Sequence, residues 1–354
     1  MILWARIPSY LAGFCRELQS RHGHEVRVLG LGNESLDSSE SPVSETLFRD
    51  LRTTLLSTRD LSDSRCIVKY IESFQPDVIF ISGWQFPAYR SLYGHSSLRQ
   101  IPKILCCDNT RVPSIRQYIG KFYLQRYFRN AAAVWVPGRK GRQLMAYWNV
   151  PQSKLVDGLY NVDEGLFENR DLVATHSIRR DKAFVFVGQL IQRKGFDLLV
   201  EAYQRYRSSV DQPWRLIVCG RGPLEVLCKG DGIDFRGFVD GSRLPGVFAE
   251  SDVFVLPSLY DSWGVVIAEA ACAGLPIIAT DTCGAAHDLI EDGINGLRIE
   301  SGSCQAILDA LHWAHESDDD VRISSGNRSR SLAKPYTSSV VAAKISSLLR
   351  SLKA

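Results

Sequence analysis

Short apolar runs alternate with stretches of helical periodicity along the whole chain of 354 residues. In the first half, "ILWARI", "HEVRVLG", "DVIFISG", "KILCC" and "AAVWVPG" have the length and the β-branched or aromatic content of strands. Helix-like segments at 10–21, 64–74 and 139–148 separate them, and Gly23-His24-Glu25 closes the first helix and opens the second strand. The second half restarts the rhythm with strand candidates "AFVFVGQL", "RLIVCG", "IDFRGFV", "DVFVLPS", "LPIIATD" and "GLRI", and helix candidates "GFDLLVEAYQRY" and "WGVVIAEAACAG".

Strands separated by helices of about ten or more residues predict parallel, doubly wound sheets. The turn-rich, charged stretch "NVDEGLFENRDLVATHSIRRDK" lies between the two sets and sets the boundary near residues 163–180. The expected architecture is therefore α/β, with two Rossmann-like domains over 1–165 and 166–334 facing a central cleft. The tail "PYTSSVVAAKISSLLRSLKA" predicts a helix after Pro335 with Val340, Val341, Ile345, Leu348 and Leu349 on one side. It could pack on either domain; crossing back to the N-terminal one, as part of 335–354, is the expected choice.

Composition narrows the class. Apolar residues make up 45% and charged ones 23%, ordinary for a globular protein with ample core. The net charge of +3 is too weak to argue for nucleic acid but suits an anionic ligand or lipid surface. The nine cysteines form no Cys-x-x-Cys pair and several sit in apolar runs, which fits buried thiols in a reducing compartment better than disulfides or zinc. The N-terminus lacks a charged-then-apolar leader layout. No segment approaches the roughly 18 apolar residues of a membrane span. A cytoplasmic protein is expected, at most resting on the cytoplasmic face of a membrane.

Candidate chemistry falls just after predicted strands of the second half, where ligands collect in such sheets. In "FVGQLIQRKGFDLL", Gly188 ends a strand and Arg193 and Lys194 precede a helix, an arrangement that suits a diphosphate or is simply a solvated basic turn. In "VCGRGPL", Gly220 and Gly222 flank Arg221; a tight turn explains them as well as a ligand does. Gly237-Phe238-Val239 lies in a strand-end loop where backbone groups could read a nucleobase edge, or is merely a loop before a helix. In "VLPSLYDSWGVVIAEAACAG", Asp261 precedes a helix opened by Gly264 and Glu269 lies within it. Two carboxylates so placed can hold hydroxyls on either side of a diphosphate at the helix start. The alternative is one acid complementing the helix dipole and one buried, salt-bridged Glu.

Taken together these segments resemble the successive motifs of the family-4 retaining glycosyltransferases of GT-B architecture. "VGQLIQRKGFDLLVEAY", "VCGRGPL", "RGFV", "DVFVLPSLYDSWGVVIAEAACAGLPIIATD" and "CGAAHDLIEDGINGLRI" agree in order and spacing across 184–299, while "YNVDEGLF" (160–167) and "LQSRHGHEVRVL" are similar to the family's linker and first helix-to-strand turn. The resemblance implies a nucleotide-sugar donor in the C-terminal domain, an acceptor in the N-terminal one, and no metal or other cofactor. It implies that Glu269 holds the ribose hydroxyls and that Asp261 contacts the transferred sugar together with the backbone of Ser262, Trp263, Gly264 and Val265. Arg193 or Lys194 would neutralise the departing diphosphate, and configuration would be retained by same-face attack.

The pattern departs from the family in four places. Gln189 stands where an arginine is usual, with Arg193 its substitute. Asp261 replaces a glutamate, one methylene shorter. The N-terminal glycine-rich loop is replaced by "RIPSYLAGF", with Gly13 its only glycine. Where the family often has a histidine, "ILCCDNTR" offers Asp108 and Asn109, with Asp108 either a substitute contact to the reacting sugar or a helix cap.

The expected function is transfer of a sugar to a glycan or lipid-linked acceptor, in polysaccharide or glycoconjugate assembly. Rivals are an idle nucleotide-sugar binder, suggested by the altered N-terminal half, and a nucleotide-sugar epimerase on the same architecture. A phosphorylase lacks an evident pyridoxal-bearing lysine, and a dehydrogenase lacks Gly-x-Gly-x-x-Gly after the first strand. Last, Arg116–Asn130 mixes Arg116, Lys121, Arg126 and Arg129 with Tyr/Phe rings, Ile119 and Leu124. Such a helix lies on an anionic membrane or, more commonly, is partly buried with snorkelling cations.

Overall fold

Buried apolar runs make the inner strands, and the strands sort into two all-parallel sheets. The computed structural model describes every residue except Ser9, 32–47, Gln85, Pro113, 168–180 and Ala354, so part of the charged stretch between the two halves lies outside it. Of the described residues, one compact unit holds those up to Asp163 and those from Tyr336 onward, and the other holds Glu164–Pro335.

The first unit carries seven strands: β1 Ile2–Arg6, β2 Arg27–Leu31, β3 Arg52–Leu56, β4 Ile79–Ser82, β5 Lys103–Cys106, β6 Ala133–Val136 and β7 Leu155–Asp157. Their order is β3-β2-β1-β4-β5-β6-β7. The edge strands β3 ("RTTLL") and β7 ("LVD") were not expected, because one is polar and half exposed and the other only three residues long. Helices α1 (Tyr10–Ser20), α2 (Ser64–Phe74), α3 (Pro87–Ser91), α4 (Ile115–Tyr123), α5 (Gln125–Asn130) and α6 (Arg139–Tyr147) connect the strands. Leu3, Leu29, Ile79 and Ile81 pack with Ile67 and Ile71 of α2, and Leu105, Val134 and Val136 with Phe128, Leu144 and Trp148.

In the second unit the strands are β8 Ala183–Val187, β9 Arg215–Cys219, β10 Ile233–Gly237, β11 Val253–Leu256, β12 Ile277–Thr280 and β13 Gly296–Ile299, in the order β10-β9-β8-β11-β12-β13. Both β11 and β12 are buried throughout, as a parallel strand covered on both faces must be. The edge strand β10 is half exposed, and Arg236 on it forms ion pairs with Asp234 and with Glu250. Helices α7 (Phe196–Arg207), α8 (Leu244–Ala249), α9 (Val265–Ala273), α10 (Ala286–Leu289), α11 (Cys304–Glu316) and α12 (Asp319–Ala333) complete this unit.

The C-terminal helix α13 (Ser338–Lys353) lies against α1 in the first unit. It buries Val341, Ile345 and Leu349 together with the small Ser338, Ala342 and Ser346, whereas Val340 and Leu348 are only half-buried. Val162 pairs with Thr337 as a parallel bridge, and the fully buried Asn161 accepts a hydrogen bond from the Ser338 hydroxyl (2.7 Å). Gly13 sits inside α1, where a Cβ would lie 2.6 Å from that of Asp163 and 2.8 Å from the Ser338 oxygen. Its role is helix packing.

Two other expectations change. The helix expected over Arg116–Asn130 is two helices, α4 and α5, because Leu124 turns inward at 3% exposure and shifts the buried face. All nine cysteines are free thiols, with Cys66, Cys272 and Cys304 half-buried and the others buried.

Candidate active site

In each sheet the strand order reverses beside the first strand of the unit, β8 next to β11 and β1 next to β4. In open parallel sheets ligands bind outside the carboxyl ends of the strands at such a point. In the second unit these strand ends carry most of the residues singled out from the sequence.

After β8 the chain turns at Gly188, whose N–H donates to the Cys219 carbonyl (3.0 Å). Gln189 follows, and a 3-10 turn over Gln192–Lys194 leads to Gly195, which caps α7 with φ +64°. Only glycine fits at that cap, since a Cβ would stand 2.0 Å from the Pro257 carbonyl oxygen. The loops after β8 and β11 are thereby pressed together, and hydrogen bonds tie them. The Arg193 carbonyl accepts from the Leu259 N–H (2.9 Å), and the Arg193 guanidinium donates to the Tyr260 carbonyl (3.2 Å) and to Gln189 Oε1 (3.0 Å). Lys194 Nζ donates to Asp261 Oδ2 at 2.5 Å, with only 14% and 12% of the two side chains exposed. A charge pair so far removed from water holds because each partner compensates the desolvation of the other.

The Asp261 loop is braced from the segment after β12. Asp261 bridges to Cys283, the Gly284 N–H donates to the Asp261 carbonyl (3.1 Å) and the Ala285 N–H to the Trp263 carbonyl (2.8 Å). Hydroxyls of Thr280 and Thr282 donate to the Ser258 carbonyl at 2.6 and 2.8 Å. The Trp263 ring is buried, so this residue meets a ligand only through its backbone. Gly264, at φ +88°, opens α9 with no capping side chain and no acid in the first turn. The first N–H groups of such a helix lack intrahelical partners and carry its positive end. Glu269 follows one turn after Val265; it is half-buried, and burial pushes its carboxyl up to about 7.

At the ends of β9 and β10 the Gly220 N–H donates to the Gly237 carbonyl (2.8 Å), and a Cβ on Gly220 would strike the Gly188 oxygen at 1.8 Å. Gly237, at φ +64°, faces open space, and Phe238 and Val239 follow it. The Arg221 guanidinium lies 5.0 Å from the Phe238 ring centre. This pairing was missed from the sequence, where Arg221 and Phe238 stand in separate weak motifs.

Contacts therefore join Gln189, Arg193, Lys194 and Asp261 directly, with Ser262, Gly264, Val265 and Glu269 on the adjoining loop and helix. The family resemblance implies separate tasks for Lys194 and Asp261, toward diphosphate and toward sugar; here they neutralise each other. A polyanion placed at the start of α9 would compete with Asp261 for the ammonium group.

Asp108 belongs to the first unit, just past β5. It caps no helix; its carboxylate accepts from the Tyr160 hydroxyl (2.9 Å). It lines a cavity of about 580 Å³ at the carboxyl ends of β1, β4 and β5, with Trp4, Trp84, Trp148 and Tyr160 as aromatic wall and Arg116 as a cation. Aromatic faces beside a carboxylate provide both the apolar surface and the hydroxyl acceptor that a sugar ring needs. Trp84 follows β4 in "ISGW", so the strand-end position was a signal for it; nothing local marks Trp148 or Tyr160. Among the described residues no group of His, Cys, Asp or Glu is arranged to hold a metal ion.

Comparison with known proteins agrees with this layout. The Glycosyl transferases group 1 family matches residues 181–317, and the Glycosyl transferase 4-like domain matches residues 7–156. An uncharacterized glycosyltransferase of Methanocaldococcus jannaschii is 32% identical over 33% of this chain and 31% of its own length. The GDP-mannose-dependent alpha-(1-6)-phosphatidylinositol monomannoside mannosyltransferase of Mycobacterium tuberculosis is 33% identical over 36% of each chain. This chain thus spans about a third of the length of these curated relatives. The crystal structure of Anabaena HepE in complex with UDP and glucose superposes with a TM-score of 0.75 over 99% of this chain and 98% of that one, at 15% identity, a likeness of fold alone.

Proposed function

The chain belongs to the group 1, GT4-like glycosyltransferases of GT-B type, and from that premise we propose that it moves a sugar from a nucleoside-diphosphate sugar to a glycan or lipid-linked acceptor, with retention of configuration and without a metal. One observation carries this most: Lys194 and Asp261 meet at the uncapped start of α9, with Glu269 one turn behind. The diphosphate lies at that helix end, where N–H groups, Lys194 and Arg193 meet the charge that grows as the bond from sugar C1 to the phosphate oxygen breaks. Released from Lys194, Asp261 accepts hydroxyls of the transferred sugar. Glu269 accepts those of the ribose, and the backbone of Gly237 to Val239 meets the base, beside Arg221. An acceptor hydroxyl oxygen bonds to C1 on the face the diphosphate leaves, and its proton passes to the departing phosphate oxygen. The aromatic cavity of the first unit, with Asp108 as hydroxyl acceptor, suits a sugar ring.

Two relatives support the donor class: one named for GDP-mannose, and a structural neighbour solved with UDP and glucose. A thermal-shift series with UDP, GDP, ADP and dTDP, followed by a transfer assay with the matching nucleotide-sugars, tests the proposal. One nucleotide is expected to raise the melting temperature by mass action and its sugar to be transferred, with or without EDTA. Binding with neither hydrolysis nor transfer favours an idle binder, and activity abolished by EDTA and restored by a divalent ion removes the metal-free route.

Glu269 gives the site a pH dependence. A carboxyl raised from 4.5 to about 7 holds a proton in the folded protein that the unfolded chain has already released. Its contribution to stability is full below about pH 4.5 and is lost as pH rises through 7. Ribose hydroxyls donate more strongly to the ionised form, so nucleotide affinity is expected to rise, by up to about tenfold, between pH 6 and 8. Titration calorimetry of wild type and Glu269→Gln checks this. The variant should bind weakly with a flat profile, and an equally steep profile in it would remove Glu269 from the ribose.

A further inference from the structure

We infer that the outer face of α4 is a docking surface for a bilayer containing anionic lipid, a property that goes beyond sugar transfer and rests on different residues. A helix on an α/β unit ordinarily turns an apolar stripe toward its sheet. By contrast, α4 buries none of its side chains. Ile115 is 80% exposed, Tyr118 58% and Phe122 65%, and their spacing places them along one side, with Ile119, 59% exposed, between them at the rim of the aromatic cavity. The Tyr118 and Phe122 rings touch edge to face, with centres 5.5 Å apart.

What holds α4 in place is polar. Ser114 caps its first turn, Gln117 Nε2 donates to the Thr110 carbonyl (2.7 Å), and Trp148 Nε1 donates to the Gln117 carbonyl (3.0 Å). These anchors fix the backbone and leave the apolar row outward. The next helix behaves in the opposite way, since Tyr127 and Phe128 of α5 are buried.

Charge names the occupant. Residues 111–130 contain Arg111, Arg116, Lys121, Arg126 and Arg129 and no acid, in a chain whose net charge is only +3. Arg126 lies over the Tyr123 and Tyr127 rings at 4.8 Å from each, and Lys121 over Tyr147 at 5.2 Å. Lys121, Phe122 and Arg129 also line a cavity of about 590 Å³ beside the helix. A second copy of the chain would set the same cations against one another. Isoleucine and aromatic side chains ringed by cations instead match acyl chains beneath anionic phosphate.

Vesicle flotation of the full chain, with phosphatidylcholine alone or mixed with phosphatidylglycerol, tests this. The protein is expected to float only with the mixed vesicles at low salt and to be released as salt rises. Replacing the row by Ile115→Ser, Tyr118→Ser and Phe122→Ser should lower the partition about tenfold or more, with melting temperature and nucleotide affinity unchanged. The pair Lys121→Glu and Arg129→Glu should do the same through charge. Wild type that stays behind with mixed vesicles, or a triple variant that floats as well, overturns the inference. So does light scattering that finds a dimer which the triple variant dissolves, for the face then serves self-association.

Discussion

Lys194→Met is expected to lower kcat/KM for sugar transfer by roughly a thousandfold, the scale of losing one fixed group that stabilises developing charge. Lys194 is less exposed than Arg193 beside it, and it already touches a carboxylate, which a donor bound as proposed would displace. Its loss leaves Asp261 buried with no counter-charge, which costs about 3 kcal/mol or more of stability. Stability and catalysis therefore fall together in this variant, and a second substitution separates them. Asp261→Asn keeps the shape of the loop and frees the ammonium group. It should bind the bare nucleoside diphosphate on the order of tenfold more tightly, as expected when a charge-assisted hydrogen bond worth about 1.5 kcal/mol is redirected to the ligand, while transfer collapses for want of the sugar contact. Calorimetry decides: if Lys194→Met binds the diphosphate as wild type does, the cation lies outside the donor site.

The second large effect is structural in origin and functional in outcome. Gly195→Ala puts a methyl group 2.0 Å from the Pro257 carbonyl oxygen at a residue whose φ is +64°. The loops after β8 and β11 must then separate, and the left-handed backbone adds its own strain. Together these are expected to cost about 2–4 kcal/mol. The contacts from Arg193 and Lys194 to Tyr260 and Asp261 cross this junction, so donor affinity should fall along with stability. Urea unfolding and a nucleotide titration on the same preparation check both; a variant that melts and binds like wild type would show that the loops tolerate separation.

What could be read from the sequence divides along physical lines. Strands β8, β9, β11 and β12 are legible because a parallel strand covered on both faces must be continuously apolar, and helices follow them at regular spacing. Strands β3 and β7 are not, because an edge strand needs little burial and "RTTLL" and "LVD" read equally well as loop. The placement of Gly188, Arg193, Lys194 and Asp261 is legible because they sit where a strand gives way to a helix, and that of Glu269 because it follows within the helix. The pairing of Lys194 with Asp261 is invisible, since 67 residues part them and only the β8–β11 adjacency makes them neighbours. The same limit applies to α4. Periodicity reports that a helix has an apolar side but not whether a sheet lies under it, and here it lies under the next helix instead.

The bridge between Val162 and Thr337 bears on how such an enzyme diversifies. The chain leaves the first unit at one of these residues and re-enters it at the other, so the exit and entry points lie side by side. The second unit is in effect a cassette with adjoining ends. A second unit from a relative could be exchanged at this single seam, with Asn161, Ser338 and the α1–α13 packing untouched. One recombination step would then replace that unit and leave the aromatic cavity and α4 of the first as they are.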